Sequence, residues 1–158
     1  MPAVALKCHP EFRSGAVASV SARVFRRPLR VSFQVKGDLG RLALPQRRLP
    51  RFRHGLWRHT CFEVFVARKG SHAYREYNLS PSGEWAVYAF SRYRVRRREK
   101  AARPRLRGRS LGIGEPGRLK IGLAAVIEES DGALSYWALR HPPGRPDFHH
   151  RRAFALRA

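Results

Sequence analysis

From residue 60 to residue 90 the sequence alternates between apolar and polar residues, and two short turns at 69–71 and 81–83 interrupt it. A period of two places successive side chains on opposite faces of a β-strand. Short connections rich in Gly, Pro and Ser join such strands as antiparallel neighbours. This stretch therefore predicts three antiparallel strands in sequence, with one apolar face and one face of mixed character.

Much of the remaining chain follows the same pattern. Alternation or continuous apolar character predicts further strands at 16–25, 29–35 and 119–129, and shorter strands at 3–7, 42–44, 134–139 and 153–156. We find no helical period long enough for a helix of ten residues. With 158 residues, the chain has the size of one domain. We predict an all-β fold, an antiparallel sandwich or barrel, with residues 1–158 in a single domain.

The net charge of the chain indicates which kinds of partner it would attract. There are 33 Lys and Arg residues against 11 Asp and Glu residues, a net charge of +22. Such a field attracts nucleic acid, anionic membrane surfaces or acidic polymers. The densest basic stretch runs from Arg92 to Arg109. It lacks the motifs of common single-strand readers, so we expect at most non-specific polyanion binding there.

The apolar segments are too short to cross a bilayer, which takes about 18 residues or more. The first 25 residues also lack the basic start and apolar stretch of a secretory signal. We therefore expect no membrane span and a cytoplasmic location. In that compartment Cys8 and Cys61 are expected to be buried thiols, and a bridge between them would need an oxidising environment and suitable geometry.

The mixed face of the predicted strands suggests binding of a small polar ligand. Sugars present hydroxyls to carboxylates or amides and a C–H face to an aromatic ring. The candidate ligand-binding residues are Trp57, His59, Glu63, Tyr74, Glu76, Asn78 and Trp137. The structural alternative is that the Trp residues belong to the core and that the Glu residues pair with the abundant Arg.

Motifs for catalysis and metal binding are weak. Glu63 and Glu76 could be placed as in a glycosidase, but residues 80–83 lack the G-x-S-x-G frame of a nucleophile elbow, and phosphate loops and dinucleotide fingerprints are missing from the sequence. His149 and His150 are adjacent and would point to opposite sides of an extended segment. We therefore expect a protein without catalytic activity and predict no metal site.

Five segments resemble the DOMON-like domains related to carbohydrate-binding module family 9, in particular those of an uncharacterised bacterial group. These segments are 55–63, 74–85, 126–129, 134–139 and 141–150. The resemblance implies a two-sheet β-sandwich whose relatives bind sugars or haem. It also implies that the region of Trp57 and Glu63 corresponds to the Trp and the acidic strand of the sugar-binding modules.

Haem binding remains an alternative under this resemblance, since haem-binding relatives use axial Met or His. The only Met is Met1, which leaves His59, His141, His149 and His150 for bis-His ligation, and no C-x-x-C-H motif occurs. We assign no cofactor. The sequence thus predicts a non-catalytic module that binds a saccharide or cell-wall-related glycoside on an exposed strand face. The alternatives are a haem-binding DOMON domain and a basic nucleic-acid or polyanion-binding protein.

Overall fold

The protein is described by a computed structural model, which covers residues 2–26, 29–98 and 119–157. Within these ranges it is mostly β-structure, with three short 3₁₀ turns at Leu39–Arg41, Leu56–Arg58 and Arg151–Ala153 and no α-helix. The strands are β1 (Val4–Cys8), β2 (Val17–Arg26), β3 (Leu29–Gly37), β4 (Cys61–Arg68), β5 (Tyr74–Leu79), β6 (Trp85–Arg92), β7 (Val95–Arg96), β8 (Leu119–Glu128), β9 (Leu134–Ala138) and β10 (Leu156–Arg157).

Adjacent strands pair antiparallel in the order β3-β2-β1-β9-β8-β4-β5-β6-β7. β8 pairs with β4 along one edge, and with β9 and then β10 along the other. β1 divides its pairing, because residues 4–6 pair with β2 and residues 7–8 pair with β9. The predicted meander is confirmed as β4, β5 and β6, whose register aligns Glu63 with Asn78 and Glu76 with Tyr88.

The alternation along β4 and β8 divides the apolar side chains between two hydrophobic clusters. The first cluster contains Val64 and Ile121 together with Val20, Val24 and Val31 of the β2–β3 hairpin. Among the described residues β2 and β3 form no ladder with β4 or β8, so the cluster packs the hairpin directly on these strands, while the β1 and β9 ladders connect it to β8. Burial of such side chains stabilises a fold by about 1.5–3 kcal/mol each.

The second cluster lies on the opposite side of the same strands. It contains Phe65, Tyr74 and Phe90 from the strands, and Phe148 and Phe154 from the C-terminal segment. That segment has little regular structure of its own and reaches the sheet through its aromatic side chains. Its packing is what places residues 146–149 over β4, β5 and β6.

Three sequence predictions need correction or restriction. Residues 42–44 do not form a strand, because Leu42 makes only an isolated bridge with Glu129. The predicted strand at 153–156 is instead a 3₁₀ turn at Arg151–Ala153 followed by β10. The basic stretch from Arg92 to Arg109 includes the end of β6 and all of β7, and its part beyond residue 98 lies outside the described residues.

Gly37, which ends β3 at an irregularity in its pairing with β2, cannot accept a side chain. Its φ is +146°, and an added Cβ would lie 2.1 Å from the carbonyl oxygen of Ala16. We expect Gly37→Ala to lower the free energy of unfolding by roughly 1–3 kcal/mol, measured by urea denaturation. Gly70→Ala is the matched control, since Gly70 also has positive φ but has no atom within 4 Å of the added Cβ. Equal losses in the two variants would show that the close approach is unimportant.

Candidate functional site

The mixed face of β4, β5 and β6 carries two carboxyl groups and an amide. Glu63, Glu76 and Asn78 project from it, and cross-strand pairing places Glu63 opposite Asn78 and Phe65 opposite Glu76. Period-two alternation explains this placement, because residues of equal parity share one face. All three polar residues are buried, with exposures of 3%, 4% and 0%.

The prediction of an exposed strand face was therefore wrong. The 3₁₀ turn Leu56–Arg58 and the segment 146–154 cover this face. The physical reason is the apolar part of the face, since Phe65, Tyr74 and Phe90 would otherwise remain in water. Sequence alternation could not show this, because the covering residues come from turns that have no periodic pattern.

The cover leaves a cavity of about 440 Å³. Both carboxyl groups line it, Glu63 from β4 and Glu76 from β5. Its aromatic lining comes from Trp57, Phe90, Tyr136 and Phe148, and its remaining lining from Arg94, Arg96, Val126, Pro146 and His149. Cavities of about 300–1,000 Å³ with apolar walls and a few convergent polar groups are typical of small-molecule sites.

Glu63 has no hydrogen bond and no ion pair with any of the described residues. Burial raises the pKa of its carboxyl group well above the usual value, and repulsion from Glu76 raises it further. A buried carboxyl group without a partner costs free energy in the folded state. Glu63 is therefore a polar group available to a ligand in the cavity.

Glu76 is held in place by Asn78 of the same strand, which is itself bonded to Cys61 of β4. The side-chain amide of Asn78 donates to Glu76 Oε1 at 2.6 Å, and the thiol of Cys61 donates to Asn78 Oδ1 at 3.5 Å. Burial raises the pKa of Glu76, while the Asn78 hydrogen bond and the charges of Arg96 and Arg94 act in the opposite direction. The remaining oxygen, Oε2, faces His149.

Tyr74 is hydrogen-bonded to His149, whose other ring nitrogen lies close to Glu76. The backbone N–H of Arg94 donates to the Tyr74 hydroxyl at 3.1 Å, which leaves that hydroxyl to donate to His149 Nδ1 at 2.8 Å. A neutral His149 then carries its proton on Nε2, which lies 3.6 Å from Glu76 Oε2. Burial and the charge of Arg94 lower the pKa of His149 to about 4. The ring is therefore uncharged at neutral pH.

Arg94 lies in the turn between β6 and β7 with φ of +55°. This is the left-handed region, which is uncommon for a residue other than glycine and is found at functional sites more often than elsewhere. Its guanidinium donates to Asp147 Oδ1 at 3.0 Å, and Tyr93 donates to Asp147 Oδ2 at 2.7 Å. These bonds join the β6–β7 turn to the C-terminal segment at the edge of the cavity. Arg96 stacks on Tyr88, with 3.9 Å from its Cζ to the ring centroid.

Of the predicted site residues, the structure brings five together. Trp57, Glu63 and Glu76 line the cavity, and Tyr74 and Asn78 hold His149 and Glu76 in position. Trp57 also packs edge-on against His54 and Tyr88, with centroid distances of 5.0 and 5.8 Å.

The structure places the other two elsewhere. Trp137 belongs to the first hydrophobic cluster, on the opposite side of the sheet, and its indole N–H donates to Ser135. His59 lies in a separate groove of about 470 Å³, where its Nδ1 is 2.7 Å from Glu128 Oε2. Trp137 is separated from the cavity by its parity on β9, and His59 by its position at the end of a turn.

Sequence reasoning missed Arg94, Arg96, Tyr136, Phe148 and His149 as site residues. Arg94 and Arg96 belong to a basic stretch that resembles any exposed, charged surface. Tyr136 and Phe148 could not be assigned because β9 and the C-terminal segment have no predicted contact with β5. His149 was considered only as a metal or haem ligand.

Within the described residues no group of three or more His, Cys, Asp or Glu side chains is placed to hold a metal ion. The histidines considered for haem lie apart. His141 Nε2 is 2.8 Å from the carbonyl oxygen of Lys7, whereas His149 faces the cavity. Cys8 and Cys61 are free thiols, the first half-buried and the second buried. The described part of the chain has no helix of the length and apolarity that spanning a bilayer requires.

Comparison with protein-family models, with curated proteins and with solved structures gave no match for this chain.

Proposed function

We propose that this protein is a non-catalytic ligand-binding domain whose cavity takes a small saccharide. One observation carries the proposal: the Glu63 carboxyl group, buried and without a partner among the described residues, lines a cavity of ligand size. A ligand that donates hydrogen bonds to Glu63 removes the cost of that unpaired group. Binding of the ligand then stabilises Glu63 in its buried position.

The composition of the cavity wall supports a sugar as that ligand. Sugar hydroxyls can donate to Glu63 and to Glu76 Oε2, and the C–H face of the ring can pack on an aromatic side chain. Trp57 is half-buried at the cavity and edge-on to Tyr88, which leaves part of the indole available for such a contact. Charge-assisted hydrogen bonds are stronger than those between neutral groups.

We also propose that the fold is a two-sheet β-sandwich of the DOMON-like type, related to carbohydrate-binding module family 9. Support comes from the first hydrophobic cluster, which packs the β2–β3 hairpin on β4 and β8. The resemblance around Trp57 and Glu63 is consistent with this relation, because both residues line the cavity. A cytoplasmic location remains part of the proposal and agrees with two free thiols.

Titration calorimetry tests the function with a panel of glucose, N-acetylglucosamine, cellobiose and muropeptides. We expect at least one saccharide to bind, and expect Trp57→Ala and Glu76→Ala to weaken its binding by about tenfold to hundredfold, since each removes a direct contact. His59→Ala is the control, because His59 lies in the separate groove. Glucosamine is tested beside the panel. Absence of binding to every one of these sugars, or unchanged affinity in both cavity variants, would refute the proposal.

A further inference from the structure

We propose that the ligand of this cavity carries a protonated amino group, so that an amino sugar binds in preference to a neutral sugar, with its ammonium between Glu63 and Glu76. This inference rests on the proposed function and names the ligand class of the same cavity. An ammonium group offers three donors and one positive charge, which matches two carboxyl groups that face one space.

The other buried glutamates show how this chain treats a carboxylate that has only a structural role. Glu84 accepts from Arg51 Nε at 2.8 Å and from Arg53 at 3.1 Å. Glu129 accepts from Ser14 at 2.6 Å and lies 3.4 Å from Arg41. Hydrogen bonds and nearby guanidinium groups hold the pKa of both carboxyl groups below the usual value.

Glu63 and Glu76 differ from that pattern although the chain has three times as many basic as acidic residues. Neither has an ion pair with a described Lys or Arg residue, and Glu63 has no hydrogen bond within the same set. Arg94 and Arg96 line the same cavity and their charges act on Glu76, but neither guanidinium forms an ion pair with either carboxyl group. A positively charged ligand is the species that such an arrangement leaves room for.

The two arginines that line the cavity have other contacts. Arg94 donates to Asp147, and Arg96 lies over the ring of Tyr88. Their positive charges offset part of the negative charge of the carboxyl pair, but neither guanidinium donates a hydrogen bond to it. The Arg94–Asp147 pair is neutral as a unit, so Arg96 balances one of the two carboxylates and the second needs either a proton or a ligand cation.

Titration of the pair follows from the groups around it. Those that face or adjoin it are Glu63 and Cys61 from β4, Tyr74 and Glu76 from β5, Tyr88 from β6, Arg94 and Arg96 from the β6–β7 hairpin, Tyr136 from β9, and Asp147 and His149 from the C-terminal segment. Because the pKa of both glutamates is raised, the empty cavity retains a proton above the usual range of a carboxyl group. Binding of an ammonium ligand displaces that proton into solvent, whereas binding of a neutral sugar leaves the proton on the carboxyl pair. The aromatic walls also favour a cation.

The experiment compares glucosamine, glucose and N-acetylglucosamine by calorimetry in two buffers of different ionisation enthalpy. We expect glucosamine to bind at least about tenfold more tightly than the other two, since an ion pair replaces a neutral hydrogen bond. Its binding should release protons, and its affinity should increase as the pH rises above the usual range of a carboxyl group, because the pair, whose pKa is raised, then ionises more readily.

Glu63→Gln keeps the shape of the side chain and removes its charge. We expect this variant to lose at least about tenfold in glucosamine affinity and most of the proton release, with little change for glucose. Glu128→Gln, outside the cavity, is the matched control and should behave as wild type. Equal affinities for the three sugars would overturn the inference while leaving saccharide binding intact. No binding of any sugar would refute both.

Discussion

Replacement of Glu63 by methionine is expected to raise the free energy of unfolding by roughly 1–4 kcal/mol and to weaken saccharide binding by at least about tenfold. The gain follows because a buried, unpaired carboxyl group is replaced by an apolar side chain of similar length. Glu63 is 3% exposed and lies on the central strand β4, so most of the methionine side chain would be buried. A substitution that stabilises the fold and removes function is typical of a binding group.

The increase in the free energy of unfolding should become larger as the pH rises. The folded-state pKa of Glu63 is raised, so the folded protein binds more protons than the unfolded chain above about pH 4.3, and the carboxyl group lowers stability increasingly as the pH rises. His149 acts in the opposite sense, because its pKa of about 4 is below the unfolded value and its contribution to stability increases between about pH 4 and pH 6.5. The His149 contribution is common to both proteins, so the difference between variant and wild type reports on Glu63 together with its interaction with Glu76.

Urea denaturation of wild type and Glu63→Met over a pH series measures this difference. We expect a small gain near pH 4 and a larger one at neutral pH. Glu128→Met serves as the control, since Glu128 is half-exposed and bonded to His59, and should change stability by about 0.5 kcal/mol or less. A loss of stability in Glu63→Met, independent of pH, would mean that the carboxyl group has a structural partner.

The second large effect concerns Phe154, which attaches the C-terminal segment to the sheet. Its ring lies 5.6 Å from that of Phe65 and 5.5 Å from that of Tyr74, and it fills the space left by Gly122, where an added Cβ would lie 3.0 Å away. We expect Phe154→Ala to lower the free energy of unfolding by about 3–5 kcal/mol, through lost burial and a cavity.

Phe154→Ala should also lower the ligand affinity, because the same segment carries Phe148 and His149 into the cavity. Phe52→Ala is the matched control: Phe52 also contacts aromatic rings but is 45% exposed, so its loss should cost about 1 kcal/mol or less. Similar costs for both variants in thermal or urea denaturation would contradict the anchoring role of Phe154.

The sequence predicted the strands of the sheet well where side-chain alternation is strong. β4, β5 and β6 have the expected face assignments, because a period of two determines which residues share a face once the strand exists. Residues 42–44 show the limit: two leucines with the right spacing were not enough, since no neighbouring strand offers them a continuous ladder. The segment 146–154 has no period at all, and only its aromatic side chains determine where it packs.

The candidate site was predicted in part for the same reason. Glu63, Glu76 and Asn78 were grouped correctly by parity, but their burial depends on the turn Leu56–Arg58 and the C-terminal segment, which lie far away in sequence. Trp137 has the residue type of a sugar platform and the parity of the opposite face. Arg94 could be recognised only from its positive φ and its bond to Asp147, neither of which a sequence displays.

The most direct test of the cavity follows the three tryptophan indole N–H signals by NMR during titration with glucosamine and then with glucose. We predict that the Trp57 signal shifts progressively to saturation with at least one of the two sugars. The signal of Trp137, bonded to Ser135 in the first cluster, should stay in place. An unmoved Trp57 signal at high concentrations of both sugars would contradict ligand binding between this indole and the two buried carboxyl groups.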